Sequence, residues 1–498
     1  MSLSMLWRRC TITKNNLLCL SSISITDPTI KKNTAKAEII INKFDETERR
    51  FTLINKYAHS LKENQKPLLR LAFCMPLLNY GLFSEKIQLL FPISKADFSL
   101  LTDLNLIFSR DIFVNKIARG TNPYILPEFF PDQEKITPHG GDPKAVIHAT
   151  QLIDDTLIGE GMGPLKSGVL SSGGKDSLLT YGLLKELGSE VYPLYVNESG
   201  GHWKTALTAY KYHQKTEPNT QRVWTNVDRF YSFMLDHLRF IRPDHRKIWH
   251  DAYPIRLCIF PFYVFSLLPI FIDERIGNLL LGSEFDDLRY EIQYKGIQHY
   301  FGVYDQHQDY DILMNQWYKK RIPGLHQWSA LRNISGLVDQ KILVHRYPTL
   351  AKQQRSCHSC HIKDDVVYPC GTCSKCLGIL LYLLANDIDP TLMNYQQKDI
   401  EYFYTYVGTS SLKLDKDEKD QSFFLLKKKG IAPKVSYVDH VEKIHIHAAI
   451  CDPRLYPKQF RDGLLKILEE YTTGYCILKN GEWVPTGKWQ ENSTTIVP

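Results

Sequence analysis

Ser171-Ser172-Gly173-Gly174-Lys175-Asp176-Ser177 stands between a short apolar strand, Gly168-Val169-Leu170, and an amphipathic helix predicted from Asp176 to Leu187. Leu179, Leu183, Leu184 and Leu187 mark one face of that helix, and Gly188 follows at its C′ position. A strand, a loop of small residues and a helix N-terminus together make a cradle for phosphate. Glycines let backbone N–H groups turn toward an anion, and the helix start adds unpaired donors and partial positive charge. Lys175 brings a full charge, and Ser171, Ser172 and Ser177 bring hydroxyl donors. The bland alternative is a glycine-rich turn that only starts a helix.

The alternation continues downstream. Strand-like runs at 190–196, 222–226 and 279–281 are separated by helical patterns at 202–212, 228–240 and 253–274. Such a pattern predicts an α/β fold with a doubly wound parallel sheet, which binds ligands beyond the carboxyl ends of its strands. The loop, the turn from Asn197 to His202, Asn226 and Gly282-Ser283-Glu284 all fall at such ends. Upstream, Ile39-Ile40-Ile41 and Phe51-Thr52-Leu53-Ile54 read as strands, and 98–117 as an amphipathic element. An α+β N-terminal domain is expected over 36–145, closing in a Pro- and Gly-rich linker at 123–143. Residues 1–35 are read as a flexible extension, 146–350 as the nucleotide domain, 351–395 as a Cys-rich module and 396–498 as an extension of unknown role. In that last part Ile444-His445-Ile446-His447 alternates like a strand, with both histidines on one solvated face.

The bulk numbers narrow the function classes. A chain of 498 residues with 43% hydrophobic and 23% charged residues is an ordinary globular balance, long enough for several domains. The net charge of +7 suits a small anionic substrate and is too slight to argue for nucleic acid. The longest uncharged apolar run, Leu257 to Ile272, is short for a membrane span and carries Pro261 and Pro269, so no membrane partner is expected. Arg8, Arg9 and the lack of acidic residues in the first 26 positions resemble a transit leader, but the apolar stretch is poor. The expected compartment is the cytoplasm.

Eleven cysteines form an odd set, and five of them crowd between Cys357 and Cys376, which favours a reducing compartment and one metal cluster. Cys370, Cys373 and Cys376 recur at three-residue intervals, with Cys357 and Cys360 upstream. Four thiolates around Zn²⁺ make a closed tetrahedral site, and Lys363 and Lys375 are placed to offset thiolate charge. Iron–sulfur ligation, a redox Cys-x-x-Cys pair and plain buried cysteines are the competing readings.

A Walker A loop requires Gly at 169 and Ser or Thr at 176, where this chain has Val169 and Asp176. Ser-Gly-Gly-Lys-Asp-Ser instead resembles the PP-loop of the ATP pyrophosphatases, whose fold is that of the adenine nucleotide alpha hydrolases. With Cys-Gly-x-Cys-x-x-Cys following late in the domain, the chain is similar to the 7-cyano-7-deazaguanine synthase family, and Gly282-Ser283-Glu284-Phe285-Asp286 is similar to that family's Gly-x-x-Glu-x-Asp. A second resemblance, over roughly 65–390, is to the ATP-dependent UDP-N-acetylmuramoyl-L-alanyl-L-glutamate epimerases. It rests on Gly173 to Ser177, Ile255 to Ile272, Ser283-Glu284, Ser356-Cys357 and Cys370 to Cys376. This alignment favours Cys357 with Cys370, Cys373 and Cys376 as metal ligands, whereas Cys360 gives spacing nearer the synthase's.

These resemblances imply an enzyme that adenylates a small-molecule carboxylate, releasing pyrophosphate and then AMP. ATP would lie on Ser171 to Ser177, with Mg²⁺ at Asp176 and Zn²⁺ on the cysteines. Lys175, Asp176 and Glu284 are the expected catalytic residues, with Asp286 available for a second metal or a base role. Further candidate bases are His202, His299 and His307. Epimerisation of a terminal L-Glu is the first expectation, nitrile formation or coupling on a deazaguanine the second. A non-catalytic nucleotide-binding scaffold is the reading from another class.

Overall fold

The computed structural model describes residues 17–248, 253–287, 289, 292–300, 303–406, 412, 414–431 and 435–490. Its N-terminal half contains β1 (Leu20–Thr26), β2 (Thr29–Lys31), β3 (Thr34–Lys43), β4 (Glu48–Lys56), α1 (Lys66–Cys74), β5 (Lys86–Ser94), α2 (Lys95–Ile112) and β6 (Val146–Ile153). There follow β7 (Gly163–Leu170), α3 (Lys175–Glu186), β8 (Glu190–Asn197), α4 (Trp203–Thr216), β9 (Gln221–Thr225), α5 (Val227–Leu235), α6 (Phe260–Glu274) and β10 (Ile276–Leu280). The last part adds α7 (Gln308–Arg321), β11 (His326–Trp328), α8 (Gly336–Arg346), α9 (Ser374–Ala385), α10 (Lys416–Lys427), β12 (Ile444–Ile446), α11 (Lys458–Glu469), β13 (Tyr475–Lys479) and β14 (Glu482–Thr486).

β7 lies inside the parallel half of the sheet, in the order β11-β10-β7-β8-β9. Both faces of these strands are covered. Gly168 backs onto α6, where a Cβ would come within 2.4 Å of Phe271, while Val169 packs with Leu178 and Leu337 of α3 and α8. The fold is therefore α/β with a mostly parallel central sheet. Among the described residues no helix is long and apolar enough to cross a membrane.

The two halves share one 11-stranded sheet, which the domain reading did not anticipate. β9 pairs antiparallel with β4 through Asn55↔Thr225 and Lys56↔Trp224, and the order runs on through β3, β1, β5 and β6. Residues 146–153, expected to open the nucleotide domain, thus form the outer strand of the N-terminal half. Asn226, expected at a ligand-facing strand end, extends the seam instead: its Oδ1 accepts from Ile54 N at 2.8 Å and its Nδ2 donates to the Thr52 carbonyl at 2.9 Å.

Other expectations change as well. Within the supposed flexible extension, β1 is an interior strand between β3 and β5, with Ile23 and Ile25 fully buried. Serines blur its apolar alternation, and two neighbouring strands supply the order that local sequence does not. Of the leader-like first 26 positions, residues 1–16, with Arg8 and Arg9, lie outside the described residues. The apolar helix starts at Phe260 rather than 253, with Pro261 in the first turn, where its missing N–H costs no hydrogen bond. Finally, His445 is buried at 0% exposure and stacked on Phe285 (3.7 Å between ring centres), so β12 is no solvated face.

Candidate active site and metal centre

Lys175 opens α3 directly behind the loop, with Gly174 as its N-cap. Gly173 has φ +76°, and a Cβ there would lie 2.8 Å from the Thr205 carbonyl, so conformation and space both demand glycine. Gly282 permits an equally close approach from the end of β10: a Cβ would meet Asp176 Cβ at 2.9 Å. This contact brings Glu284 over the loop. From the end of β11 the chain reaches α8, whose N-cap Ser335 accepts from Val338 N and whose first turn carries Asp339. Three strand ends therefore deliver four charged groups to one spot.

Lys175 Nζ donates to Asp176 Oδ1, to Glu284 Oε2 at 2.5 Å and to Asp339 Oδ2 at 3.2 Å. Oxygens of the three carboxylates lie within 4.8 Å of one another. Asp339 is fully buried, and its Oδ1 finds no hydrogen-bond donor. Burial alone would depress Lys175, but Asp176, Asp339 and Glu284 outweigh it and hold the ammonium well above its ordinary range. Burial raises Glu284 to about 7, aided by the Asp176 charge and opposed by Lys175. Asp339 is driven up by the same causes. Asp176 moves down, because Lys175 outweighs its burial.

A second ring of acids backs the first. Asp286 is raised to about 7 by burial. Glu418, on α10, accepts from Gly336 N at 2.7 Å and from the Tyr382 hydroxyl. Glu284 reaches the other side of Gly336, where a Cβ would meet its Oε2 at 2.6 Å. The supposed C-terminal extension thus packs behind the Lys175 group. It also grips the loop bearing Glu284: Arg289 bonds Asp287 and Asp417, His440 Nε2 lies 2.9 Å from Asp417, and His440 Nδ1 lies 3.0 Å from His445 Nε2. The guanidinium of Arg289 fills the middle of the Asp287–Asp417–His440 group.

The four sulfurs of Cys357, Cys370, Cys373 and Cys376 also lie within 4.8 Å of one another, with 3.8 Å between Cys370 and Cys376 and 4.0 Å between Cys357 and Cys373. Tetrahedral Zn–S bonds of about 2.3 Å put sulfurs about 3.8 Å apart, so the set fits zinc. Backbone N–H groups of Ser359 and Cys370 point at Cys357 Sγ, as they do around thiolates. Cys360 is buried outside the tetrad, 3.7 Å from the Thr205 hydroxyl. The module touches the Ser171–Ser177 loop and α4: Arg355 N donates to the Gly173 carbonyl at 2.9 Å, and Thr205 Oγ1 donates to the Cys357 carbonyl at 2.9 Å. Lys363 is exposed on a hairpin, whereas the charge of Lys375 is felt at Asp176 and His202.

The candidate bases separate. His202 caps α4 beside the loop and is pushed down to about 4 by burial and by Arg256. His299 and His307 pack around Tyr300, whose N–H is held by Asp111 of α2, and do not join the Lys175 group. Sequence reasoning missed Asp339, Glu418 and Arg256. Arg256 is buried under the Tyr253 ring at 3.5 Å and paired with Glu198 at 3.2 Å. Asp339 did carry a signal, an acid placed shortly after Ser335-Gly336 as in the first turn of a helix. A scan against protein-family models finds no match to this chain, and a search of curated proteins finds none either.

Proposed function

We propose that this protein is a PP-loop ATP pyrophosphatase that adenylates a small-molecule carboxylate, and that it epimerises the terminal L-Glu of UDP-N-acetylmuramoyl-L-Ala-L-Glu. The observation that carries the reading is Lys175: a buried ammonium at the start of α3, behind a glycine loop at a parallel strand's carboxyl end, among three carboxylates.

In this scheme the substrate carboxylate oxygen attacks the α-phosphorus of ATP, and the bond to the β-phosphate oxygen breaks. Loop N–H groups, Lys175 and the serine hydroxyls hold the pyrophosphate and oppose its growing charge. Asp176 and Asp339 are the residues that would hold Mg²⁺, which would supply charge neutralisation for the phosphates. Asp339 Oδ1, buried without a donor, fits that role. Activation acidifies the neighbouring C–H; Glu284 suits its removal, since a carboxyl near 7 exchanges protons at neutral pH. The proton returns to the opposite face, and water attacks the acyl group to release AMP. The cysteine tetrad would hold zinc as a closed structural centre bracing the loop. All ten described cysteines are free thiols, in keeping with a cytoplasmic setting.

The cysteine spacing and Gly282 to Asp286 also favour a second reading, adenylation of 7-carboxy-7-deazaguanine followed by amide or nitrile formation. Mass spectrometry of products from ATP with each carboxylate separates the two. The expected result is AMP and a D-Glu product from the muramoyl dipeptide. AMP only with the deazaguanine selects the second reading, and no AMP with any carboxylate leaves a nucleotide-binding scaffold.

A further inference from the structure

The central sheet ends differently on its two sides. β11 is three residues long and covered: His326 Nε2 lies 2.8 Å from the Leu455 carbonyl, and Trp328 packs against Tyr456 and Phe460. β6 runs for eight residues, Val-Ile-His-Ala-Thr-Gln-Leu-Ile, and no described strand pairs with its outer edge. An open edge is a row of unpaired N–H and C=O groups, which proteins commonly guard with charged residues or proline. β6 has neither. Ile147 is buried, while Val146 is 58% and Leu152 is 48% exposed on the face they share with His148 and Thr150.

We propose that β6 pairs antiparallel with β6 of a second copy of this chain, with Ala149 opposite Ala149 on a two-fold axis. In that register the strand complements itself. Val146 of each copy faces Leu152 of the other, and His148 faces Thr150. Just beyond the strand, exposed Lys144 faces Asp154, whose side chain is 89% exposed in its pair with Lys95. A small residue sits at the axis, where a side chain must meet itself. Neighbouring registers are worse. An axis at His148 brings Asp154 against Asp142, and an axis at Thr150 sets Val146 against Asp154. Such an isologous contact closes at two copies and joins the two sheets into one.

Light scattering coupled to gel filtration tests this on the full chain. Native protein should run at twice its 57.7 kDa mass in the micromolar range. Leu152→Lys, at an exposed position, should give a monomer. Lys144→Glu and Asp154→Lys should each weaken the dimer about tenfold, because both facing pairs become like-charged. An equal mixture of those two variants should recover it, since both facing pairs then have opposite sign; recovery also shows that both variants are folded. A native monomer at every concentration overturns the proposal. So does a dimer that ignores Leu152→Lys and gains nothing from mixing.

Discussion

The cysteine tetrad and the carboxylate group solve one problem in two ways. Each gathers like groups within 4.8 Å, a spacing at which mutual repulsion forbids full ionisation unless a cation intervenes. The carboxylates have a cation from the chain itself, since Lys175 Nζ bonds all three. The thiols have neutral donors, backbone N–H groups and the Thr372 hydroxyl, and form a set that could hold a metal ion such as zinc. Under the proposed function that built-in counter-ion would turn to an anionic substrate while a free cation takes its place among the acids. The thiol shell, under the same proposal, would be filled once and kept.

Substitutions should pull the two sites apart. Lys175→Ala removes the internal cation, and AMP formation should fall about 1,000-fold or more while the zinc content stays at one per chain. The same variant leaves three acids uncompensated, so Mg²⁺ should raise its thermal midpoint more than that of the native chain; an equal rise in both would break the comparison. Cys376→Ser should lose the metal, measured by elemental analysis. Activity should drop with it on the order of 100-fold, through the Arg355–Gly173 brace. Full activity without zinc would show that the module does not steady the loop. Asp339→Asn should act more gently, raising the Mg²⁺ needed for half-maximal rate about tenfold and leaving zinc untouched.

The smallest effect concerns pH. Glu418 is raised to about 8, first by burial and then by Glu284 and Asp415. Between its ordinary value of 4.5 and about 8 the folded chain keeps a proton that the unfolded chain has released. Its contribution is complete below 4.5 and is lost as pH rises through that window. Glu418→Gln should flatten this slope by up to about 1.4 kcal/mol per pH unit, read from urea midpoints across the window. An unchanged slope would place the titration elsewhere.

Much of the molecule was legible because local chemistry dictates it. The loop needs Gly173 at positive φ, the helix after it needs an apolar stripe, and thiols at three-residue spacing turn toward one point. Of the two upstream candidates, it is Cys357, the one favoured by Ser356-Cys357, that clusters with Cys370, Cys373 and Cys376. What stayed hidden depends on chain ends meeting far from their sequence neighbours. Asp339 lies 164 positions from Lys175, and nothing in its own segment distinguishes it from any first-turn acid. Glu418 sits in a charge-rich run that reads as solvent-facing until Tyr382 and Gly336 close on it. Asn226 looked like a ligand residue because its position at a strand end was right while its partner, β4, was unforeseen.

That seam has a consequence for how the chain is made. Ile54 and Asn226 are 172 positions apart, so β4 leaves the ribosome long before β9, which pairs with its Asn55 and Lys56. At about 5–20 residues per second, the nascent N-terminal half waits roughly 10–35 s with its β4 edge bare. The composition of β4 suits that wait: Glu48, Arg49, Arg50 and Lys56 line a strand of nine residues. Charges that add little to the finished molecule would keep the half-made one from meeting its neighbours on the same message.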